Sequence, residues 1–226
     1  MRILITGVLL TMLVIFSYGC SRHLIGYDIK GLAEKVDKAG LISIKTFQDS
    51  RPEEEHKGSS GKFLAFASKD GDFTQPVSVS ITSLFKEELR QSGFKVVEEE
   101  LAEGADYVVS ADILHFQTMV KFPGISIIPY LGTAATLWES DEYTTVVTIK
   151  ARIMQHQQLG VACSPKVLFE REFNISEALR LKTGVLNLER MFGRGMSYQF
   201  KRLDLALADV LGQIRDEVIK AIGSKS

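Results

Sequence analysis

Cysteine is scarce in this sequence of 226 residues, which contains only Cys20 and Cys163. So few cysteines exclude the disulfide framework that holds small secreted domains together. Cys163 has two open interpretations: a buried small hydrophobic residue, or a thiol that pairs with another molecule. The sequence therefore predicts a domain that is stabilised by its apolar core.

An excess of positive charge is also missing, since 27 lysines and arginines face 28 aspartates and glutamates. Proteins that bind nucleic acid need a basic surface, so this class is excluded. Catalytic motifs are absent too: no G-x-S-x-G, no Walker loop and no H-E-x-x-H occurs. His115 and His156 lie on two predicted neighbouring strands, but neither has a further ligand at metal-binding spacing. We expect no enzyme activity, no metal and no cofactor.

A long apolar run is missing as well. The N-terminal run from Ile3 to Phe16 is shorter than the about 20 residues of a membrane-spanning helix. Arg2 precedes the run and small residues follow it, which is typical of a secretory signal peptide. We assign the signal peptide to residues 1–19.

Cys20 and the residues before it resemble the lipobox of bacterial lipoproteins, with Gly19 in the position before the cut. The resemblance implies cleavage before Cys20, a diacylglycerol on its sulfur and an acyl chain, such as palmitate, on its amine. Ser21 stands where an aspartate would imply retention at the inner membrane, so an outer-membrane location facing the periplasm is implied. The alternatives are an uncleaved anchor and an ordinary signal peptide with a coincidental cysteine. Residues 20–39 form the lipidated tether in this interpretation, and 40–226 form a single domain.

The mature chain alternates between strand and helix patterns. Apolar residues with a period of two predict strands at 41–47, 62–67, 94–97, 105–120, 142–156 and 166–174. Spacings of three and four predict helices at 74–92, with Thr74 as the capping residue, and at 198–222. Short helices are predicted at 29–38 and 186–191, and loops over 48–62 and the rest of 175–196. The expected fold class is α/β of the α+β type, a mainly antiparallel sheet with the two long helices on one face.

Two short features of the pattern have open interpretations. Asp49 and Arg51 form either an ion pair that shapes a rim or, as the pattern favours, a turn that begins with aspartate and is stiffened by Pro52. Ser110 and Asp112 lie on one face of a predicted strand, and no base accompanies them. We assign both to the solvated face of the sheet.

Residues 122–138, FPGISIIPYLGTAATLW, join two long strands yet carry no charge. Hairpin loops are usually short and polar, so a long apolar connection is either extra core or a binding surface. The candidate contact residues for a protein partner or a membrane are Phe122, Ile127, Ile128, Tyr130, Leu131 and Trp138. The prolines and glycines of the segment argue against a continuous helix across a bilayer.

The order of these elements resembles a known family. Asp49-Ser50-Arg51, and the passage Leu89-Arg90-Gln91-Ser92-Gly93-Phe94-Lys95-Val96 that leads to Ala105-Asp106-Tyr107-Val108-Val109, resemble the YajG-like family of bacterial lipoproteins. The pattern covers about half of the mature chain. It is also similar to the periplasmic α/β domains of penicillin-binding-protein activators and curli-secretion lipoproteins. The resemblance implies a compartment and a fold, and it implies no active site.

These features predict a non-enzymatic envelope lipoprotein that acts as an accessory or assembly factor. It would be held at the membrane by the lipid on Cys20 and would bind a protein partner or lipid through residues 122–138. One alternative is an oligomeric secretion or channel component in which 122–138 is a membrane-inserting hairpin. Another is a hydrolase of envelope polymers, for which we find no reactive pair of residues.

Overall fold

A computed structural model describes residues 22–29, 40–58, 65–97, 104–121, 140–155, 165–182 and 195–223. Cys20, Cys163, His156, the segment 122–138, the predicted short helix at 186–191 and all but Ile29 of the predicted short helix at 29–38 lie outside these residues. None of the helices within the described ranges has the length and apolar character needed to span a membrane.

The described part of the chain contains seven strands, three α-helices and a 3-10 turn. The strands are β1 (Leu41–Ile44), β2 (Gln48–Asp49), β3 (Ala65–Ala67), β4 (Lys95–Val97), β5 (Tyr107–Lys121), β6 (Ser140–Gln155) and β7 (Lys166–Lys182). The helices are α1 (Glu53–Lys57), α2 (Val77–Gln91) and α3 (Gly195–Gly223), and the 3-10 turn is Asp70–Asp72.

The strands form one sheet in the order β4-β1-β5-β6-β7, with β2 and β3 also paired to β5. The long strands β5, β6 and β7 are antiparallel neighbours. The short strands β1, β2 and β4 make parallel pairs, and β3 is antiparallel to β5. The sheet is therefore mixed, its long pairs are antiparallel, and the predicted α+β class is confirmed.

Helices α2 and α3 bury their apolar stripes in one core with the inner face of the sheet. The fully buried side chains with the largest volumes come from both layers: Phe47, Phe85, Phe116, Ile42, Ile44, Ile81, Leu89, Ile113, Ile149, Ile153, Leu203 and Leu207. The apolar residues recur at three and four along each helix, which is the condition for one buried face. Both long helices are therefore confirmed.

The prediction is wrong for the N-terminal cap of α2 and confirmed for its C-terminal end. The N-cap position is Pro76, and the predicted cap Thr74 instead donates its backbone N–H to the carbonyl of His23 at 2.9 Å. Thr74 therefore bonds to a neighbouring segment of the chain and does not cap the helix. At the other end Gly93 has φ of 97°, a conformation that favours glycine, as predicted.

Two of the predicted loops are wrong in part. Residues 48–62 include β2 and α1, and α1 is followed by Gly58 with φ of 69°. Acidic residues fill the first turn of α1, where the helix dipole favours them, so a polar composition concealed a helix. Strand β7 continues from the predicted end at Asn174 to Lys182, because Ile175 and Leu179 keep the alternation beside β6.

Candidate functional site

The predicted site residues Cys20, Phe122, Ile127, Ile128, Tyr130, Leu131 and Trp138 lie outside the described ranges. Described residues follow Cys20 and flank the segment 122–138. Arg22 to Ile29 follow Cys20 closely, and the ends of β5 and β6, Lys121 and Ser140, border the segment 122–138. The positions of these flanking residues define which part of the domain carries the predicted sites.

Residues 22–29 pack onto the domain. The backbone N–H of His23 donates to the carbonyl of Asp72 at 2.7 Å, which together with the Thr74 bond forms a short parallel bridge. The His23 ring stacks on Phe200 of α3 with centroids 4.5 Å apart, and Phe73 meets it edge-on at 6.4 Å. The predicted tether of residues 20–39 thus includes a stretch that is fixed to the folded core shortly after Cys20.

A carboxylate on α3 holds this first part of the segment. Both oxygens of Asp204 lie 3.1–3.2 Å from Nε2 of His23, and the backbone N–H of Gly26 donates to Asp204 at 3.4 Å. Burial raises the pKa of Asp204, and the contacts with His23 and Gly26 reduce that rise without cancelling it. The Asp204 carboxylate therefore bonds to residues 22–29 instead of to solvent.

A second buried carboxylate holds the later part of the segment. The hydroxyl of Tyr27 donates to Glu88 of α2 at 2.7 Å, and Arg215 of α3 donates to the other oxygen of Glu88 at 3.0 Å. The Glu88 side chain is only 4 % exposed. Burial raises the pKa of Glu88, and it also raises the pKa of Tyr27, with a further contribution from Glu88 itself. Residues 22–29 therefore bond to both long helices.

The docked segment and the ends of β5 and β6 share one end of the domain. Phe200 of α3 contacts His23, and Tyr198, half a turn away, meets Tyr143 of β6 with ring centroids 6.1 Å apart. Tyr143 is the β6 partner of Val120, next to the end of β5. With a helical rise of about 1.5 Å per residue, His23 lies within roughly 20 Å of Tyr143. Cys20 and the segment 122–138 are thus both joined to this end, which we call the anchor end.

The turn beneath His23 is braced by a buried arginine. The Arg51 side chain, 1 % exposed, donates to both oxygens of Asp49 at 2.8 Å and to Asp70 at 2.8 Å. His56 contacts the other oxygen of Asp70 at 2.8 Å. Burial disfavours the Asp49 carboxylate, but Arg51 outweighs that effect and holds the pKa of Asp49 below its usual range.

Both interpretations of Asp49 and Arg51 are present in the structure. The backbone N–H of Arg51 donates to the Asp49 side chain at 3.4 Å, which is the bond of a turn that begins with aspartate. The favoured interpretation as a turn alone is incomplete, because the same residues form a bidentate ion pair. The pair fixes the 3-10 turn through Asp70, and the carbonyl of Asp72 in that turn accepts from His23.

His115 is paired with a carboxylate. Its Nδ1 lies 2.6 Å from Glu55 of α1, whose other oxygen accepts the backbone N–H of Phe116 at 3.1 Å. Glu55 therefore hydrogen-bonds to a part of the β5 edge with which no described strand pairs. Within the described ranges no group of His, Cys, Asp and Glu has the arrangement of a metal site.

The outer face of the sheet carries a shallow polar cavity of about 340 Å³, and Ser110 and Asp112 line it as members of this solvated face. Glu170 of β7 accepts from Lys150 at 2.6 Å and from Arg152 at 2.9 Å. These two cations lower the pKa of Glu170 to about 2. A carboxyl group held ionised in this way is unsuited to act as a general acid near neutral pH.

Sequence reasoning missed the docking residues His23, Tyr27, Glu88, Asp204 and Arg215. One signal was available for two of them. Glu88 and Asp204 fall on the apolar stripes of α2 and α3, since Ile81 and Phe200 precede them by seven and four positions. A carboxylate at a core-facing position needs a buried partner. The partners on residues 22–29 could not be identified, because nothing in that stretch marks it as packed.

Comparisons with known proteins support the fold. No family model and no curated protein matches the chain. Among solved structures, protein XCC0632 of Xanthomonas campestris, from the DUF330 family, is similar over 91 % of this chain and 98 % of its own, with a TM-score of 0.57 and 9 % identity. This similarity shows a shared α+β fold.

Two weaker similarities carry no argument about fold or function. Hypothetical protein CT253 of Chlamydia trachomatis has a TM-score of 0.45 at 11 % identity, covering 82 % of this chain and 98 % of its own. Lipoprotein GNA1162 of Neisseria meningitidis has a TM-score of 0.28 at 18 % identity, covering 73 % of this chain and 99 % of its own. The resemblance to the YajG-like family stays a prediction.

Proposed function

We propose that this protein is a non-enzymatic lipoprotein of the bacterial envelope, anchored by acyl chains on Cys20 to the periplasmic face of the outer membrane. It acts as an accessory or assembly factor and binds a protein partner or lipid through residues 122–138. One observation carries the proposal: the docking of residues 22–29 puts the attachment points of Cys20 and of 122–138 at the same end of the domain.

The docked segment limits how far the domain can stand from the membrane. His23 is fixed to α3 by its ring stack and by Asp204. The link from Cys20 to His23 spans at most about 10 Å when it is fully extended. Acyl chains on Cys20 would enter the bilayer, because each buried methylene contributes about 0.8 kcal/mol. The anchor end would then face the membrane surface.

In this orientation the apolar segment 122–138 would face a surface that it can bind. Residues 122–138 carry no charge, and they start and finish at strand ends on the anchor end. An apolar connection in that position can contact the bilayer or the membrane-proximal part of a neighbouring envelope protein. The same composition at the opposite end of the domain would lack such a partner.

The described charged clusters favour binding over catalysis. Arg51, Glu88 and Glu170 each sit among partners of opposite charge or hydrogen-bonding groups within the chain. Such contacts stabilise local structure, and these groups have no acid–base role in the proposed function.

The test of the anchor replaces Cys20 with alanine. The native protein should incorporate labelled palmitate and sediment with outer membranes, and Cys20→Ala should do neither. Incorporation of label by Cys20→Ala would refute lipidation at this residue.

The test of the contact segment replaces Ile127, Tyr130 and Leu131 with serine together. This variant should lose recovery of the bound partner or lipid while its thermal unfolding stays unchanged. Val167→Ser is the matched control, because Val167 is 48 % exposed on β7 at the opposite end of the domain. Unchanged recovery with the triple variant would refute a binding role for 122–138.

A further inference from the structure

Strand β7 forms an outer edge of the sheet. It pairs with β6 on one side, and no other described strand pairs with it. A paired strand points the N–H and C=O groups of alternate residues away from its neighbour, so a strand of 17 residues presents a long row of such groups.

Of the usual protections of an edge strand, lysines and irregular pairing occur only at the ends of β7, and the centre carries the charged residues Glu170, Arg171, Glu172 and Glu177. Lysines stand at its two termini, Lys166 and Lys182, and a register shift falls between Ile153 and Met154 of β6, opposite the start of β7. Between Phe169 and Leu179 the strand has no lysine, proline or glycine and pairs regularly with β6. This central stretch is suited to pair with another strand.

The central stretch is complementary to itself. When two copies run antiparallel with Asn174 opposite Asn174, Phe173 faces Ile175, Arg171 faces Glu177, and Phe169 faces Leu179. Apolar residues then meet apolar residues, and each positive charge meets a negative one. The other face pairs Glu172 with Ser176 and Glu170 with Ala178, with no like charges directly opposite.

Other registers lack this match. A slip that centres the pairing on Phe173 puts Phe169 opposite Glu177 and Arg171 opposite Ile175. A slip that centres it on Ile175 puts Phe173 opposite Glu177 and Arg171 opposite Leu179. Each juxtaposes a charge with an apolar side chain, so side-chain pairing specifies the register centred on Asn174.

The charged residues of the central stretch also form ion pairs with helix α3. Arg202 of α3 is paired with Glu177, and Glu217 of α3 lies 3.8 Å from Arg171. Arg171 is 66 % exposed and Glu177 is 45 % exposed, so both are accessible to a second strand. In the paired state Arg202, Glu177, Arg171 of the second copy and its Glu217 would alternate in sign.

We propose that two copies of this protein associate through antiparallel pairing of β7 with β7, centred on Asn174, so that their sheets become continuous. The proposal is independent of lipidation at Cys20 and of any role for residues 122–138. It commits to a second copy of the chain as the occupant, because the edge is complementary to its own sequence.

A disulfide crosslink tests the register. Residues directly opposite in an antiparallel pair have Cα atoms about 4.5–5.5 Å apart, within the range that a disulfide bridges. In the full-length protein carrying Cys163→Ser, solubilised in mild detergent, Asn174→Cys should form a covalent dimer under mild oxidation. Ser176→Cys is the control, since the two copies of residue 176 would lie roughly 13 Å apart along the strands. No dimer with Asn174→Cys, or equal dimer with Ser176→Cys, would overturn the proposal.

A mixing experiment tests the charge pairs. Arg171→Glu puts two acidic pairs across the two-fold axis, and Glu177→Arg puts two basic pairs there, so each variant alone should dimerise about tenfold more weakly by light scattering. In an equimolar mixture both pairs are complementary again, and heterodimers should form with close to native affinity. If Arg171 and Glu177 stabilise only their own chain, mixing the two variants should not increase dimer formation. That result would overturn the proposal.

Discussion

Removing the hydroxyl of Tyr27 should release the segment that follows Cys20. The hydroxyl lies 2.7 Å from Glu88, whose side chain is 4 % exposed, and Arg215 is the other partner of that carboxylate. A hydrogen bond to a charged group contributes about 1.5–3 kcal/mol. Tyr27→Phe should therefore shift the docking equilibrium of residues 22–29 by about 10- to 100-fold toward the undocked state.

Amide hydrogen exchange measures this shift directly. The backbone N–H of Thr74 donates to the carbonyl of His23, and the N–H of His23 donates to Asp72. Both amides should exchange about 10- to 100-fold faster in Tyr27→Phe. Tyr107→Phe is the control, because Tyr107 is also buried but lies on β5, outside the docked segment.

The pH dependence of the effect has a defined sign. Burial raises the pKa of Glu88 above its ordinary value of 4.5, and the Tyr27 bond partly counteracts that rise. A raised carboxyl pKa means that the contribution of Glu88 to stability is full below the unfolded pKa and is lost as pH rises through the folded pKa. Tyr27 stabilises the ionised form, so the deficit of Tyr27→Phe should be largest where Glu88 is ionised and should narrow as pH falls through the raised pKa of Glu88, which lies above 4.5. Thr74 exchange equal in Tyr27→Phe and Tyr107→Phe at neutral pH would refute the docking argument.

Three further predictions concern stability and anchoring. Asp49→Asn should lower the free energy of unfolding at pH 7, and the difference from the native protein should vanish as pH falls through the depressed pKa of Asp49, below its ordinary 3.8; a deficit that persists at lower pH in denaturant titrations would contradict the ion-pair account. Phe85→Ala, at a side chain with no exposure, should cost about 3–5 kcal/mol in the same titrations, and a loss below about 1 kcal/mol would show that the helix layer is not packed as described. Phe200→Ala removes the ring beneath His23 and should accelerate exchange of the Thr74 amide as Tyr27→Phe does, whereas an unchanged rate would separate the ring stack from docking.

The helices and the long strands could be predicted because each has a periodic apolar face. Leu203, Leu207 and Ile214 lie on one stripe of α3, and all three are fully buried. The same reasoning placed β5 beside β6, where Val109 pairs with Ile153 as both side chains enter the core. Patterns of this kind carry information because burial on one side is repeated along the element.

The docked N-terminal segment could not be predicted, because its bonds are few and distant in sequence. His23 and Asp204 are separated by 181 positions, and Tyr27 and Glu88 by 61. The segment has no regular strand or helix of its own, so no period marks it as buried. Strand β7 was predicted too short for a different reason: Ser176, Glu177 and Ala178 are exposed at an edge, where the contrast between the two faces is weak.

Photocrosslinking in intact envelopes tests the central claim most directly. A photoreactive residue in place of Tyr130 would be compared with one in place of Lys95, an exposed residue of β4 at the end of the sheet away from Lys121. We predict crosslinks from position 130 to lipid or to one envelope protein, and none from position 95. An absence of crosslinks from position 130, or the same products from both positions, would contradict the claim that the anchor end faces the membrane and carries the contact surface.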